Sequence, residues 1–455
     1  QKIASTHSGK VSASARVGHT AHFLCEIEKP PWILLVGGAN RASCCSNYLL
    51  LNLRTGTLFS AVPLGSYVDP LFARYEHASA LCGNEVSLAL VLFGGANQDS
   101  PFRDVWSVPI DASLLSSECI TELTVSDFFA ATPSRIQPGN ADSVSERTQH
   151  TSSCLTEFHE LLVFAGGALG CTPVDDTKVH MYKIKEKKWI TVETEGCAPS
   201  PRMGHLMLCQ PPDPRSESKR ASDVSSFFVH GGMAGEEFFD DFYRLELHRV
   251  KAPFLQSDAT VGDQVKGTWH VVRATSPTDQ SGDTGSLSQP PPRAAHGGGV
   301  IVSPLFRQQV HCRLMCRVFV FGGLNSSGPL NDFYYYDEVA CQWVRLSGLA
   351  STIKTLPSPR MDFAFTTLRM KIRDPARKKA CVTATFSEFE ADWETSPAEG
   401  DTNEDVSMIW RNFLFIHGGM NAGQNIFGDA YICCLDEQQA EEEKKLPEEN
   451  SERTS

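Results

Sequence analysis

Six Gly-Gly pairs, each closing a short apolar run, constrain this chain more than any other feature: "WILLVGGAN", "LALVLFGGANQ", "LLVFAGGALG", "SSFFVHGGMAG", "RVFVFGGLNSSG" and "NFLFIHGGMNAG". Each run is rich in Val, Ile, Leu and Phe and too short for a helix, so each reads as a buried β-strand ended by glycine. Upstream stands an arginine with a histidine three residues on: Arg16/His19, Arg74/His77, Arg147/His150, Arg202/His205 and Arg293/His296. The sixth arginine, Arg360, is followed instead by Phe363. Downstream come Asp or Asn and an aromatic-bearing strand, as in "RDVWSV", "DDTKVHMYKI", "DDFYRLEL", "NDFYYYDE" and "GDAYICCL". The third, fourth and fifth copies then reach Trp189, Trp269 and Trp343, and the first has Phe59 at that place.

These signals predict four strands per copy, and one four-stranded sheet cannot bury both faces alone. The expected fold is therefore all-β: a six-bladed kelch β-propeller of four-stranded antiparallel blades. The glycine pair sits where another backbone approaches closely, and the aromatics fill the wedge between blades. A ring must close or leave open strand edges, and the sixth copy lacks its last strand. The segment from Ile3 to Val11 is expected to supply it, so that an N-terminal strand closes the ring.

The propeller is expected over 1–435, with blades around Gly37-Gly38, Gly94-Gly95, Gly166-Gly167, Gly231-Gly232, Gly322-Gly323 and Gly418-Gly419. Arginine to glycine pair takes about twenty residues in the first three copies, about twenty-nine in the next two and fifty-eight in the last. The excess reads as polar hairpin insertions, the largest being 369–411. Residues 436–455, charged and free of aromatics, read as a disordered acidic tail.

A formal net charge of −13 argues against a general affinity for nucleic acid or anionic lipid, since Lys and Arg supply the attraction to phosphate, and with no stretch near eighteen uninterrupted apolar residues at most peripheral membrane association is expected. Fifteen cysteines without a CxxC pair fit a reducing compartment, with the thiols as small core hydrophobes.

Together "ARVGHT", "LLVGGAN", "LFARYEHAS", "VLFGGANQ", "RTQHTSS", "VDDTKVHMYKI", "CAPSPRMGH" and "FFVHGGMAGEEFFDD" resemble the kelch-motif effectors of a late-endosomal Rab GTPase, from Arg16 to about Leu435. Phe363 and the longer insertions at Lys251 and Ser303 depart from that pattern. The resemblance implies a non-catalytic protein-binding scaffold in endosome-to-trans-Golgi transport. It implies a GTP-bound Rab as partner, and a cytoplasmic location, peripheral on endosomal membranes. A monomer is expected. The alternative is a kelch substrate-recognition subunit of a ubiquitin ligase, but the chain shows no cullin-recruiting box or BTB domain.

No enzyme signature accompanies the repeat. The glycine pairs end strands and open no phosphate-binding helix, and neither an HExxH nor a nucleophile elbow occurs. A histidine at the same place in five copies serves the repeat's own packing, bonded to neighbouring backbone, so neither cofactor nor metal is expected. Propellers bind through the loops of their faces. The residues after each glycine pair and after each arginine form the candidate partner-binding rim: Asn40, Tyr75, Glu76, Asn97, Gln149, Glu236, Asn325, Asp362 and Asn421. Any single Asn or Asp there also serves as a turn former.

Overall fold

The structure, a computed structural model, describes residues 2–3, 15–24, 31–53, 56–61, 73–84, 87–111, 134–136, 144–155, 159–168, 172–210, 224–250, 264–274, 289–303, 315–338, 340–346, 357–373 and 408–434. The expected tail 436–455 and almost all of the 369–411 insertion lie outside these residues. So do residues 4–11 of the expected closing strand.

All regular structure among the described residues is β. The strands form four four-stranded sheets and one of eight, with two short hairpins. The first copy pairs Val17–Leu24, Trp32–Ala39, Tyr48–Asn52 and Leu58–Ala61 in that order. The second is Ala78–Asn84, Ser87–Phe93, Val105–Ile110 and Ser134–Ile136, and the fifth Gly297–Ser303, Met315–Phe321, Phe333–Asp337 and Gln342–Arg345. In the last sheet Ala364–Arg373, Met408–His417 and Ala430–Cys434 are followed at the edge by Lys2–Ile3, with Lys2 opposite Tyr431.

Within the third and fourth copies the four strands pair antiparallel as expected, but the two sheets are joined to each other. Their last strands, Lys188–Gly196 and Gln264–Val271, run parallel, with Glu193 to Gly196 opposite Lys266 to Trp269, and fuse two sheets into one of eight strands. Glycine permits this approach. A Cβ on Gly196, whose φ is +85°, would strike the Trp269 carbonyl oxygen.

The core lies between sheets, not within one. Leu34, Leu50, Leu92 and Val108 pack the first copy on the second, Val91, Leu161 and Trp189 the second on the third, and Phe164, Val229 and Trp269 the third on the fourth. Val320 and Trp343 take part between fourth and fifth, Phe321 and Leu414 between fifth and sixth, and Ile33, Leu49 and Phe415 between sixth and first. Trp189, Trp269 and Trp343 stand on outer strands and are almost wholly buried. Burying such an aromatic stabilises by about 3 kcal/mol.

The six arginines are buried to 1% exposure or less, and each NH1 donates to a carbonyl oxygen at the end of the next apolar run: Gly37, Gly94, Ala165, Gly231, Gly322 or Gly418, at 2.8–3.0 Å. The third copy thus corrects the expected register. Its left-handed pair is Ala165-Gly166, with φ of +50° at Ala165, and Gly167 occupies the bridging place that Ala96 has in the second copy. Sequence matching follows the written Gly-Gly, whereas the guanidinium selects the left-handed carbonyl.

A buried guanidinium needs a counter-charge. Asp104, Asp176, Asp241, Asp332 and Asp429 provide it in copies two to six, four of them using both carboxylate oxygens. Arg16 meets Asn47 there, at 3.4 Å to Oδ1 and 3.3 Å to the backbone oxygen, and burial pushes this guanidinium below its ordinary value.

Cys82 and Cys154 correct the expectation that the cysteines are simple core hydrophobes. They are joined as a disulfide between the innermost strands of the second and third copies.

Asn47→Asp is expected to raise unfolding stability by about 1–2 kcal/mol by supplying the missing charge to Arg16. Asp332→Asn is expected to lower it by about 3 kcal/mol, because Arg293 is left buried and unpaired. Denaturant titration of both variants against wild type checks the pair.

Candidate binding rim

The residue two places after each arginine has left-handed φ in every copy: Gly18, Glu76, Gln149, Gly204, Ala295 and Asp362, from +48° to +65°. Four of the six are not glycine, so backbone hydrogen bonds must hold the conformation against its strain. They form a closed circle: Glu76 N–H donates to Gly18 O, Gln149 to Glu76, Gly204 to Gln149, Ala295 to Gly204, Asp362 to Ala295 and Gly18 to Asp362, all between 2.7 and 3.1 Å. The side chains of Glu76, Gln149 and Asp362 are therefore gathered at one mouth.

Gly18 separates the two carboxylates in this circle. An added Cβ there would lie 3.4 Å from Glu76 Cγ, so Glu76 leans across the glycine. Burial raises the Glu76 pKa, against the opposing effect of hydrogen bonds from Gln149 and Thr148. Asp362 is pushed up to about 8, first by burial and then by the Glu76 charge. Both causes favour the protonated form of Asp362.

Other rim residues are spent on their own loops. Asn40 Oδ1 accepts from the backbone N–H groups of Ala42 and Ser43, Asn97 Oδ1 from Asp99 and Ser100, Asn325 Oδ1 from Ser327 and Asn421 Oδ1 from Asn425. Tyr75 donates its hydroxyl to Asn97 O at 3.4 Å. Glu236 is exposed in the turn between Met233–Ala234 and Glu237–Phe238. The structure thus brings Glu76, Gln149 and Asp362 together and leaves Asn40, Asn97, Glu236, Asn325 and Asn421 on separate loops.

Sequence reasoning missed a link between two of these loops: Arg41 donates to Asn425 Oδ1 at 2.8 Å, joining the first copy to the last. It also missed an apolar collar of partly exposed Val17, Met233, Leu324, Met361 and Met420. Bridges such as Met203–Met233, Ala294–Leu324 and Met361–Met420 place the last four beside the circle. The positions after each arginine, Val17 and Met361, and after each glycine pair, Met233, Leu324 and Met420, were the signal for it.

The histidines bond mainly to side chains of a neighbouring sheet, not to backbone as expected. His19 Nε2 lies 2.8 Å from His417 Nδ1, His230 Nδ1 lies 3.0 Å from His296 Nε2, and His77 and His205 reach Thr20 and Thr151 hydroxyls. Their carbons also abut the first glycine of the preceding copy, and a Cβ on Gly37 would meet His77 Cε1 at 2.5 Å. Phe363 Cε1 takes the same place against Gly322. Burial lowers the pKa values of His150, His205, His230 and His417 to about 3, which leaves them neutral packing groups at ordinary pH. Among the described residues no group of three His, Cys, Asp or Glu side chains is placed to hold a metal.

Because Asp362 is protonated when folded and ionised when unfolded between pH 3.8 and 8, its contribution to stability falls as pH rises through that window. Asp362→Asn removes this loss. The melting temperature of the variant relative to wild type is expected to climb by a few degrees from pH 5 to pH 8 and then level off, as measured by thermal scans across that range.

Comparison with known proteins places this geometry. The KLHDC2/KLHL20/DRC7 kelch-repeats domain matches residues 18–251 and the kelch motif matches residues 316–350. The chain is similar to the Rab9 effector protein with kelch motifs of Mus musculus (31% identical over 230 residues, 50% of each chain) and of Homo sapiens (32% over 234 residues, 50% of this chain and 52% of the relative). It is also similar to the tip elongation aberrant protein 3 of Schizosaccharomyces pombe, 26% identical over 181 residues, 39% of this chain and 13% of that protein. The chain spans about half the length of the Rab9 effector relatives it matches. Matched over half its length, residues 18–251, by a kelch-repeats model, the chain belongs to the kelch-repeat family.

Proposed function

We propose that this chain is a six-bladed kelch propeller over residues 1–435, closed by its N-terminal strand and followed by an acidic tail, that serves as a non-catalytic effector of a Rab GTPase. The pairing of Lys2–Ile3 with Ala430–Cys434 and the circle of backbone bonds support the closed ring. The similarity to Rab9 effector proteins with kelch motifs supports the partner class. The single observation that carries the binding role is the mouth itself: two carboxyls and an amide ringed by Tyr75, Met233, Leu324, Met361 and Met420, on backbone the circle makes rigid. Thioether side chains adapt to a partner's shape, while the fixed backbone lowers the entropy cost of binding. No helix among the described residues is long and apolar enough to cross a membrane. Peripheral work on endosomal membranes, in transport toward the trans-Golgi, is the setting we assign.

An effector must distinguish the nucleotide states of its GTPase, whose switch loops are ordered by the γ-phosphate. Capture of a panel of Rab proteins, Rab9 included, is expected to favour the GTP form of one member by about tenfold or more. Equal capture of GTP and GDP forms across the panel overturns the reading. Glu236→Lys, a change at an exposed turn residue, is expected to weaken capture several-fold at unchanged melting temperature.

A further inference from the structure

Cys82 and Cys154 stand opposite each other across the seam between the innermost strands of the second and third copies, Ala78–Asn84 and Thr151–Leu155, with Cα atoms 6.5 Å apart. That separation lies inside the span of native disulfides, and the bond closes over 72 residues of chain. Among the described residues the backbone hydrogen bonds between these two copies gather at the rim: Gln149 N–H to Glu76 O, Gly95 to Arg147 and Arg147 to Phe102. Cys82 lies six residues beyond Glu76 and Cys154 five beyond Gln149, about 20 Å down the strands. There the two copies meet through apolar packing around Val91, Leu161, Val163 and Trp189. The sulfur bond is thus a covalent tie at the end of the seam that the backbone leaves unpinned.

The two thiols are not equivalent. Cys82 is 3% exposed, whereas Cys154 is partly exposed at the margin of the same cluster. We propose that this pair is a reversible thiol-disulfide site, oxidised by a low-molecular-weight disulfide of the glutathione class, with Cys154 as the entry thiol and Cys82 as the resolving thiol. The Cys154 thiolate attacks one sulfur of the oxidised reagent, forming a mixed disulfide and releasing one thiol. The Cys82 thiolate then attacks the Cys154 sulfur and displaces the second. Two protein thiols lose two electrons, which the reagent's disulfide accepts, and the two protons end on the released thiols. Closing the bond holds the second and third copies together and restricts the unfolded chain, leaving the rim residues themselves in place.

The test uses the full chain, reduced, desalted and incubated with oxidised glutathione, then denatured, alkylated with N-ethylmaleimide and mapped by mass spectrometry. The expected result is a dithiothreitol-sensitive peptide linking Cys82 to Cys154, with both positions lost from the alkylated set. Cys82→Ser is expected to accumulate glutathione on Cys154, and Cys154→Ser to leave Cys82 alkylated, with modification slower by about tenfold or more. Oxidation is expected to raise the melting temperature of the wild type by a few degrees and to leave that of the Cys82→Ala/Cys154→Ala protein unchanged. Full alkylation of both cysteines after glutathione treatment overturns the proposal. So does linkage of either cysteine to another partner, or equal glutathione uptake at Cys82 and Cys154 in the single variants.

Discussion

A guanidinium buried at the start of each copy is the interaction on which the rest depends. It draws the carbonyl oxygen of a left-handed residue and, in five copies, a carboxylate from the segment leading into the third strand into one bonded knot. That knot fixes where the first strand begins relative to the end of the second. It leaves the chain two residues later in the left-handed turn that faces the axis. Aromatic rings cover the charge from outside, as Phe102, Phe239 and Phe427 do at 4.3–4.5 Å from Arg74, Arg202 and Arg360. Shielding of this kind strengthens the ion pairs by keeping water away.

From that anchor the rim follows. With every first strand set at the same height, its left-handed residue can donate one N–H to the neighbouring copy and accept one in return, and the six close on themselves. A rigid backbone circle frees the side chains on it from structural duty. The repeat tolerates Gly, Ala, Gln, Glu or Asp at this one position, and the mouth's chemistry is decided there. Crowding two partly buried carboxyls either side of Gly18 raises the pKa of both and favours the protonated form of Asp362.

Much of this was legible before any coordinates. The Arg-x-x-His spacing, the apolar runs closed by glycine and the aromatics beyond them each correspond to a strand in the expected order, because every copy must satisfy the same local packing. The exceptions were less visible. Ala165 occupies a left-handed place that written Gly-Gly matching assigns to Gly166, and Asn47 stands where the other copies hold Asp. The turn-forming use of Asn40, Asn97, Asn325 and Asn421 was foreseen as a local alternative, whereas Arg41 bonding to Asn425 joins residues nearly four hundred positions apart.

What the sequence by itself determined is the repeating strand order and the places of the repeated arginine, histidine and tryptophan, since these answer to periodicity and to neighbours close along the chain. What only the tertiary structure decided is everything set between copies: the parallel ladder at Gly196, the approach of Cys82 to Cys154, and the shared electrostatics of Glu76 and Asp362. Those depend on distances and burial created when separate sheets meet. No spacing within a single repeat carries that information.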